Sequence, residues 1–191
     1  PALGMHEPKK MLHIRNDWVR LGQYLRGQLR LPVDDYPDPD YREITTLREL
    51  DDYYDPDHLT AADTEFTKRK EPYCLTLAQY PGTGRLIRAS RVDLLEALER
   101  RVRKSKRPFL FHNWLADAPI VVAMGLPSIA DRVIDTMVEV FHLGNLPQGL
   151  KALAWRELGI VMEDFEDVVG PYSREKVIRY YQMANSLVWP R

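Results

Sequence analysis

The sequence predicts an α/β protein, a mixed sheet flanked by helices and preceded by a helical appendage. Three observations carry that expectation. Apolar runs of strand length recur at 59–65, 73–80, 85–89 and 109–112, each bounded by charged or turn-forming residues. The second and third runs are joined by Pro81-Gly82-Thr83-Gly84, a turn that returns the chain antiparallel to itself. Between the third and fourth lies a helix-spaced stripe, Val92, Leu95, Leu98 and Val102, long enough to serve as a crossover. A crossover after tight hairpins gives strands of both directions in one sheet.

The elements follow in order. Residues 8–30 read as a helix, with Leu12, Trp18, Leu21, Leu25 and Leu29 recurring at helical spacing among Arg and Lys. The segment 31–40, LPVDDYPDPD, reads as a linker and sets the expected division: residues 1–40 as an appendage, 41–191 as the main domain. Residues 41–45 suit a short first strand. Thr46 and Glu49 have the spacing of a capping box, opening a helix that runs through Tyr53. Ser90 is placed to cap the crossover helix. A helix is expected over 118–124, ended by Gly125, then a short strand over 134–137, a short helix over 149–158 and another over 174–187.

The bulk properties narrow the class. The chain has 191 residues, enough for one sizeable core plus an appendage. It is 45% hydrophobic and 29% charged, the balance of a globular protein, and no apolar run approaches the ~20 residues of a membrane span. The expected location is the cytoplasm of a bacterial or phage-infected cell, with no membrane partner. Cys74 is the one cysteine, which excludes an internal disulfide and a thiolate zinc cage. Net charge is −1, so the molecule as a whole is no cationic nucleic-acid binder. Its charge is uneven: Arg100, Arg101, Arg103, Lys104, Lys106 and Arg107 form a basic run. That run reads first as a solvated helix end and second as a contact for a DNA backbone.

Chemistry concentrates where strands end. Asp63 and Glu65 stand two apart on an expected strand, so both carboxylates share one face. Asp117 follows the fourth apolar run by a few residues and can join them from a neighbouring element. Three carboxylates are the donor set that suits Mg²⁺ or Mn²⁺, the ions of phosphodiester chemistry. Asp135 reads as a turn acid capping 136–137, and His112 as a hydrogen-bonded core histidine. The acid-rich stretch Glu163–Asp167 reads as a solvated loop. Trp114, Trp155 and Trp189 fit apolar helix faces and are expected in the core.

These residues also carry a resemblance. Asp63-Thr64-Glu65 resembles the first motif of DEDD-type 3′–5′ exonucleases. Asn113-x-x-x-Asp117 resembles the second, in the form found in proofreading domains of family A DNA polymerases. Val133 to Met137, then Leu146-Pro147-Gln148-Gly149-Leu150-Lys151-Ala152-Leu153-Ala154 and Leu158-Gly159, resemble the later part of the same domain. The resemblance implies a ribonuclease H-like fold, a two-metal site and DNA 3′-end hydrolysis, with a polymerase domain in the same or a neighbouring chain. It implies that Asp63 bridges both ions, Glu65 binds the water-activating one and Asp117 holds the second. Asn113 matches the position supporting the 3′-terminal nucleotide, while the Thr64 backbone and the Phe66 ring match contacts to its sugar and base.

The fourth acid of that family lies in a C-terminal Tyr-x-x-x-Asp or His-x-x-x-Asp, and this chain offers Tyr181-Gln182-Met183-Ala184-Asn185. A neutral Asn185 binds a hard cation poorly, so either this position has lost the fourth ligand or, since 171–191 follows Val168 too soon for the last catalytic helix, the third motif is expected beyond Arg191. With three acids of four, the chain is expected to be feeble or inactive by itself. Residues 1–25 resemble the closing segment of an iron–sulfur uracil-DNA glycosylase, which would suit a phage-type fusion of glycosylase, exonuclease and polymerase modules. Two other readings remain: a non-catalytic module of this fold that holds DNA or a polymerase, and an RNA exonuclease.

Overall fold

The computed structural model describes residues 8–28, 40–67, 69–144, 147–160 and 162. It falls into two compact units, one formed by 1–36 with 139–162 and the other by 37–138 with 163–191. The expected linker over 31–39, the helix over 174–187, the Glu163–Asp167 cluster, the 181–185 motif and Trp189 lie outside the described residues.

The larger unit is built on six strands: β1 (Asp40–Glu43), β2 (Thr60–Phe66), β3 (Pro72–Ala78), β4 (Thr83–Arg88), β5 (Phe109–Phe111) and β6 (Val133–Asp135). Their order across the sheet is β1-β4-β3-β2-β5-β6. The β2–β3–β4 meander is antiparallel, while β1 joins β4, and β5 and β6 extend from β2, in parallel. This is the mixed sheet that the hairpin turn and crossover helix predict.

One face of the sheet carries the main core. Leu75, Leu77, Ile87, Phe109 and Phe111 meet residues from four helices. These are α2 (Leu47–Tyr53), α3 (Val92–Val102), α4 (Trp114–Ala123) and α5 (Pro127–Ala130). Leu50, Leu94, Leu98, Ile120 and Ile129 are their contribution, all fully buried or nearly so. On the other face Ala61, Ala78 and Leu110 form a smaller buried cluster.

The capping box of α2 is present in full: the Glu49 amide donates to Thr46 Oγ1 at 3.2 Å, and the Thr46 amide donates to Glu49 Oε2 at 2.9 Å. The Thr45 amide and hydroxyl, donating to the same Oε2 at 2.7 and 2.9 Å, with the Thr46 amide, hold the Glu49 carboxyl below the usual carboxylate range. Two helix starts differ from expectation. Ser90 does not cap α3; Arg91 occupies the N-cap with no side-chain cap bond, and its guanidinium clasps Asp93 at 2.9 and 2.7 Å instead. α4 begins at Trp114 rather than 118, because an acid from another strand caps it. β6 ends at Asp135, where the expected strand over 134–137 gives way to α6 (Thr136–His142).

The smaller unit contains α1 (Pro8–Leu25) and α7 (Leu150–Leu153), the latter running into a π-helical turn over Ala154–Leu158 that Gly159 closes at φ 72°. Here the expected burial is inverted. Trp18 and Leu25 of the apolar stripe are 66% and 74% exposed, whereas Arg20 is buried. Arg20 Nη1 donates to the carbonyls of Trp155 and Arg156 at 2.7 and 2.8 Å, and its guanidinium lies 4.7 Å from the Trp155 ring centre. These carbonyls lie in the last turn of a helix, where acceptors lack a full set of donors, and a guanidinium supplies several N–H groups at once. The Trp155 carbonyl also takes the Gly159 amide at 3.0 Å. Trp155 is accordingly 36% exposed, a platform for Arg20 rather than a core residue. Trp114, by contrast, packs on the main core, its ring 4.7 Å from that of Phe111.

No helix among the described residues is long and apolar enough to cross a membrane.

Candidate active site

The site begins where two parallel strands part. β2 and β5 pair only at Thr60–Phe109 and Ala61–Leu110. Beyond that point the β5 side of β2 has no strand neighbour, and its amides need another acceptor. Asp117 fills that place. Its Oδ1 accepts from the Thr64 amide at 3.0 Å and from the Thr64 hydroxyl at 2.6 Å, and both residues are buried.

The alternation of β2 turns Asp63 and Glu65 to one face, as the spacing predicts. Their partners on β3 are Thr76 and Cys74, and the register shifts between Glu65 and Phe66. Such an irregularity at the end of a strand re-aims the side chains that follow it.

Asp63, Glu65 and Asp117 come together. The Asp63 carboxyl neighbours those of Asp117 and Glu65 closely enough for each to act on its ionisation. Withdrawal from water, then the charge of Asp117, pushes Asp63 up to about 7. Asp117 is also raised, first by withdrawal from water, although the two Thr64 donors pull the other way. Two neighbouring acids withdrawn from water cannot both ionise cheaply, which is the cause of both shifts. Beside them, burial and the neighbouring acids raise the Cys74 thiol, which leaves it protonated and unreactive.

The loop that delivers Asp117 is fixed from β6. Asn113 adopts a left-handed conformation, φ 71° and ψ 55°, at the N-cap of α4. Its side chain makes no cap bond; Asp135 caps the helix from across the sheet. Asp135 Oδ1 accepts from the Asn113 amide at 3.0 Å and the Met137 amide at 2.9 Å, and Oδ2 from the Trp114 amide at 2.9 Å. The turn-acid reading of Asp135 therefore holds, and its reach is wider than the sequence indicates. His112 is hydrogen-bonded within the fold, its Nδ1 2.9 Å from Thr136 Oγ1.

The other predicted residues lie alongside. Thr64 directs both its amide and hydroxyl to Asp117. Phe66 is half-buried against the main core, with the Lys70 ammonium 3.9 Å from its ring centre.

The donor set is three carboxylates with no thiolate or imidazole, the chemistry of a site for a hard divalent cation. Among the described residues no three acidic, His or Cys side chains stand in the geometry of a finished metal cage.

No protein-family model matches this chain, and no curated protein matches it. Solved structures do. NrnC of Brucella melitensis with bound Mg²⁺ aligns with a TM-score of 0.56 at 14% identity, over 80% of this chain and 77% of that one. Escherichia coli RNase D, an exoribonuclease involved in structured RNA processing, aligns with a TM-score of 0.57 at 19% identity. A protein from Bifidobacterium adolescentis aligns with a TM-score of 0.62 at 18% identity. The present chain spans 42% and 41% of the last two. At these identities the likeness establishes the fold, a ribonuclease H-like mixed sheet flanked by helices.

Proposed function

We propose that this chain is a metal-dependent 3′–5′ exonuclease domain acting on the 3′ end of DNA. The observation that carries the reading is the convergence of three carboxylates, Asp63 and Glu65 on one face of β2 and Asp117 anchored on Thr64, at the edge where β2 and β5 part. The sequence resemblance to proofreading domains and the likeness to NrnC, solved with Mg²⁺, support it. Asp63, Glu65 and Asp117 are the residues that would hold two Mg²⁺ or Mn²⁺ ions. Such ions activate water and stabilise the leaving 3′ oxygen.

The chain's own contribution is positioning. Asp63 and Glu65 are aimed by a strand, and Asp117 is anchored by Thr64, so the carboxylates are set before substrate arrives. Asn113, Thr64 and Phe66 border the place for the terminal nucleotide. A polymerase domain, in this protein or a neighbour, is the proposed partner of the proofreading reading. The fold likeness to RNase D favours a second reading, an RNA 3′ end. The two differ by the 2′-hydroxyl alone.

The test is digestion of 5′-labelled DNA and RNA strands of one sequence, with Mg²⁺, with Mn²⁺ and with EDTA, beside Asp63→Asn. Metal-dependent shortening from the 3′ end that Asp63→Asn abolishes supports the reading, and the faster strand identifies the substrate. Strand binding without digestion in any metal, by this chain and by an Asn185→Asp version, would mean that the last motif lies beyond Arg191 or that the module only binds.

A further inference from the structure

We propose that Arg69 and Lys70, in the turn between β2 and β3, are a phosphate clamp for the strand whose 3′ end enters the acid site. The proposal rests on the nuclease reading and names how that site holds a polyanion.

The need is electrostatic. Ions held by Asp63, Glu65 and Asp117 would serve the scissile phosphate alone, so the phosphates further in from the 3′ end need cations of the chain itself. The loudest basic run does not supply it. Arg101 is paired with Asp51, Arg103 with Glu99 at 3.0 Å, and Arg107 donates to the Asp57 carbonyl at 2.8 Å. That run also precedes β5, whereas Asp63 and Glu65 lie in the second half of β2 and Asp117 follows β5, the two strands being parallel. It therefore lies toward the opposite end of the strands.

The hairpin begins two residues after Glu65. At about 3.3 Å per residue, its tip stands within roughly 10–15 Å of the acids, the reach of a phosphate one or two nucleotides in from the 3′ end. Its sequence is Thr67-Lys68-Arg69-Lys70-Glu71. The loop is tied in place: the Thr67 amide donates to the Glu71 carbonyl at 2.9 Å and the Lys70 amide to the Thr67 carbonyl at 2.8 Å. Thr67 Oγ1 accepts from the Arg69 and Glu71 amides at 3.2 and 3.3 Å.

Lys70 is held at φ 62°, a conformation a lysine seldom adopts. That backbone sets its ammonium over Phe66. Arg69 and Lys70 are both exposed, and neither makes an ion pair among the described residues. An exposed pair of cations with no ion pair among the described residues, one of them seated over the aromatic residue that follows the acids, is suited to phosphate rather than to fold stability.

The test uses the full chain. Binding of a fluorescent single-stranded DNA 12-mer is measured by anisotropy across a salt series, in an Asp63→Asn background so that the strand survives. Lys70→Gly keeps the left-handed backbone and removes the ammonium, and Arg69→Gln removes the guanidinium. The double variant should bind on the order of tenfold more weakly, and the slope of log affinity against log salt should fall by about 1.4, or about 0.7 per lost phosphate contact. Lys104→Gln with Lys106→Gln, toward the far end of the strands, should leave the slope unchanged.

With Asp63 restored, the double variant should lose kcat/KM on the 12-mer but retain turnover of a dinucleotide, which has no inner phosphates to hold. An unchanged affinity and slope in a variant that still digests DNA would overturn the clamp alone. Equal loss on the dinucleotide would assign the hairpin to site structure and also overturn it. No digestion by the native protein, with binding that still depends on Arg69 and Lys70, would sink the nuclease reading and leave the clamp standing. No strand binding at all would overturn both.

Discussion

Asp117, on the first turn of α4, accepts two hydrogen bonds from Thr64 in β2, one from its amide and one from its hydroxyl. The contact joins the two predicted motifs. It also settles an edge of β2 that β5 leaves unpaired.

Thr64→Val keeps the shape of the side chain and removes the hydroxyl donor. A hydrogen bond to a charged group contributes about 1.5–3 kcal/mol, so urea denaturation should show a loss in that range. Nuclease activity should fall as well, because Asp117 loses half its anchorage. Thr64→Ser, which restores the donor, should recover most of the activity.

Asp63→Asn removes a carboxyl from a crowded pair without changing its size. In EDTA at pH 8 the variant should be more stable than the native chain, on the order of 1–3 kcal/mol, since the repulsion is gone. Nuclease activity should vanish. A clear loss of stability would assign Asp63 a structural role.

The same pair predicts a pH dependence of known sign. Asp63 has an ordinary value of 3.8 and is raised to about 7 in the fold. Between those values the folded chain keeps a proton that the unfolded chain has released. Its contribution is therefore fully present below about 4 and is lost as pH rises through about 7. The stability difference between Asp63→Asn and the native chain, measured in EDTA, should widen across that window. Added Mg²⁺ should narrow it, because a cation replaces the retained proton.

Asp135→Ala removes the acceptor of three backbone amides, those of Asn113, Trp114 and Met137. Loss of this cap should cost roughly 2 kcal/mol or more in thermal or urea unfolding. It should also reduce nuclease activity without altering which metal supports it, since Asp135 positions the Asp117 helix and is no ligand. Asp135→Asn, which retains acceptor capacity at one atom, should fall between.

Local rules decided what was legible in the sequence. The period of two along a strand put Asp63 and Glu65 on one face, and the Thr46–Glu49 capping box follows from spacing alone. Mixed sheet direction followed from turn and crossover lengths. What tertiary structure alone decided depends on residues far apart in the chain. The start of α4 moved to Trp114 because Asp135, a strand away, supplies its cap. Ser90 lost its expected role to Arg91, and Arg20 displaced Trp18 and Leu25 from the buried face because carbonyls of a π-helical turn attract its guanidinium. The elevated Asp63 is likewise a property of the folded chain. Its spacing to Glu65 was visible, but its protonation is set by loss of water and by the approach of Asp117, which exist only once β2 and α4 have packed.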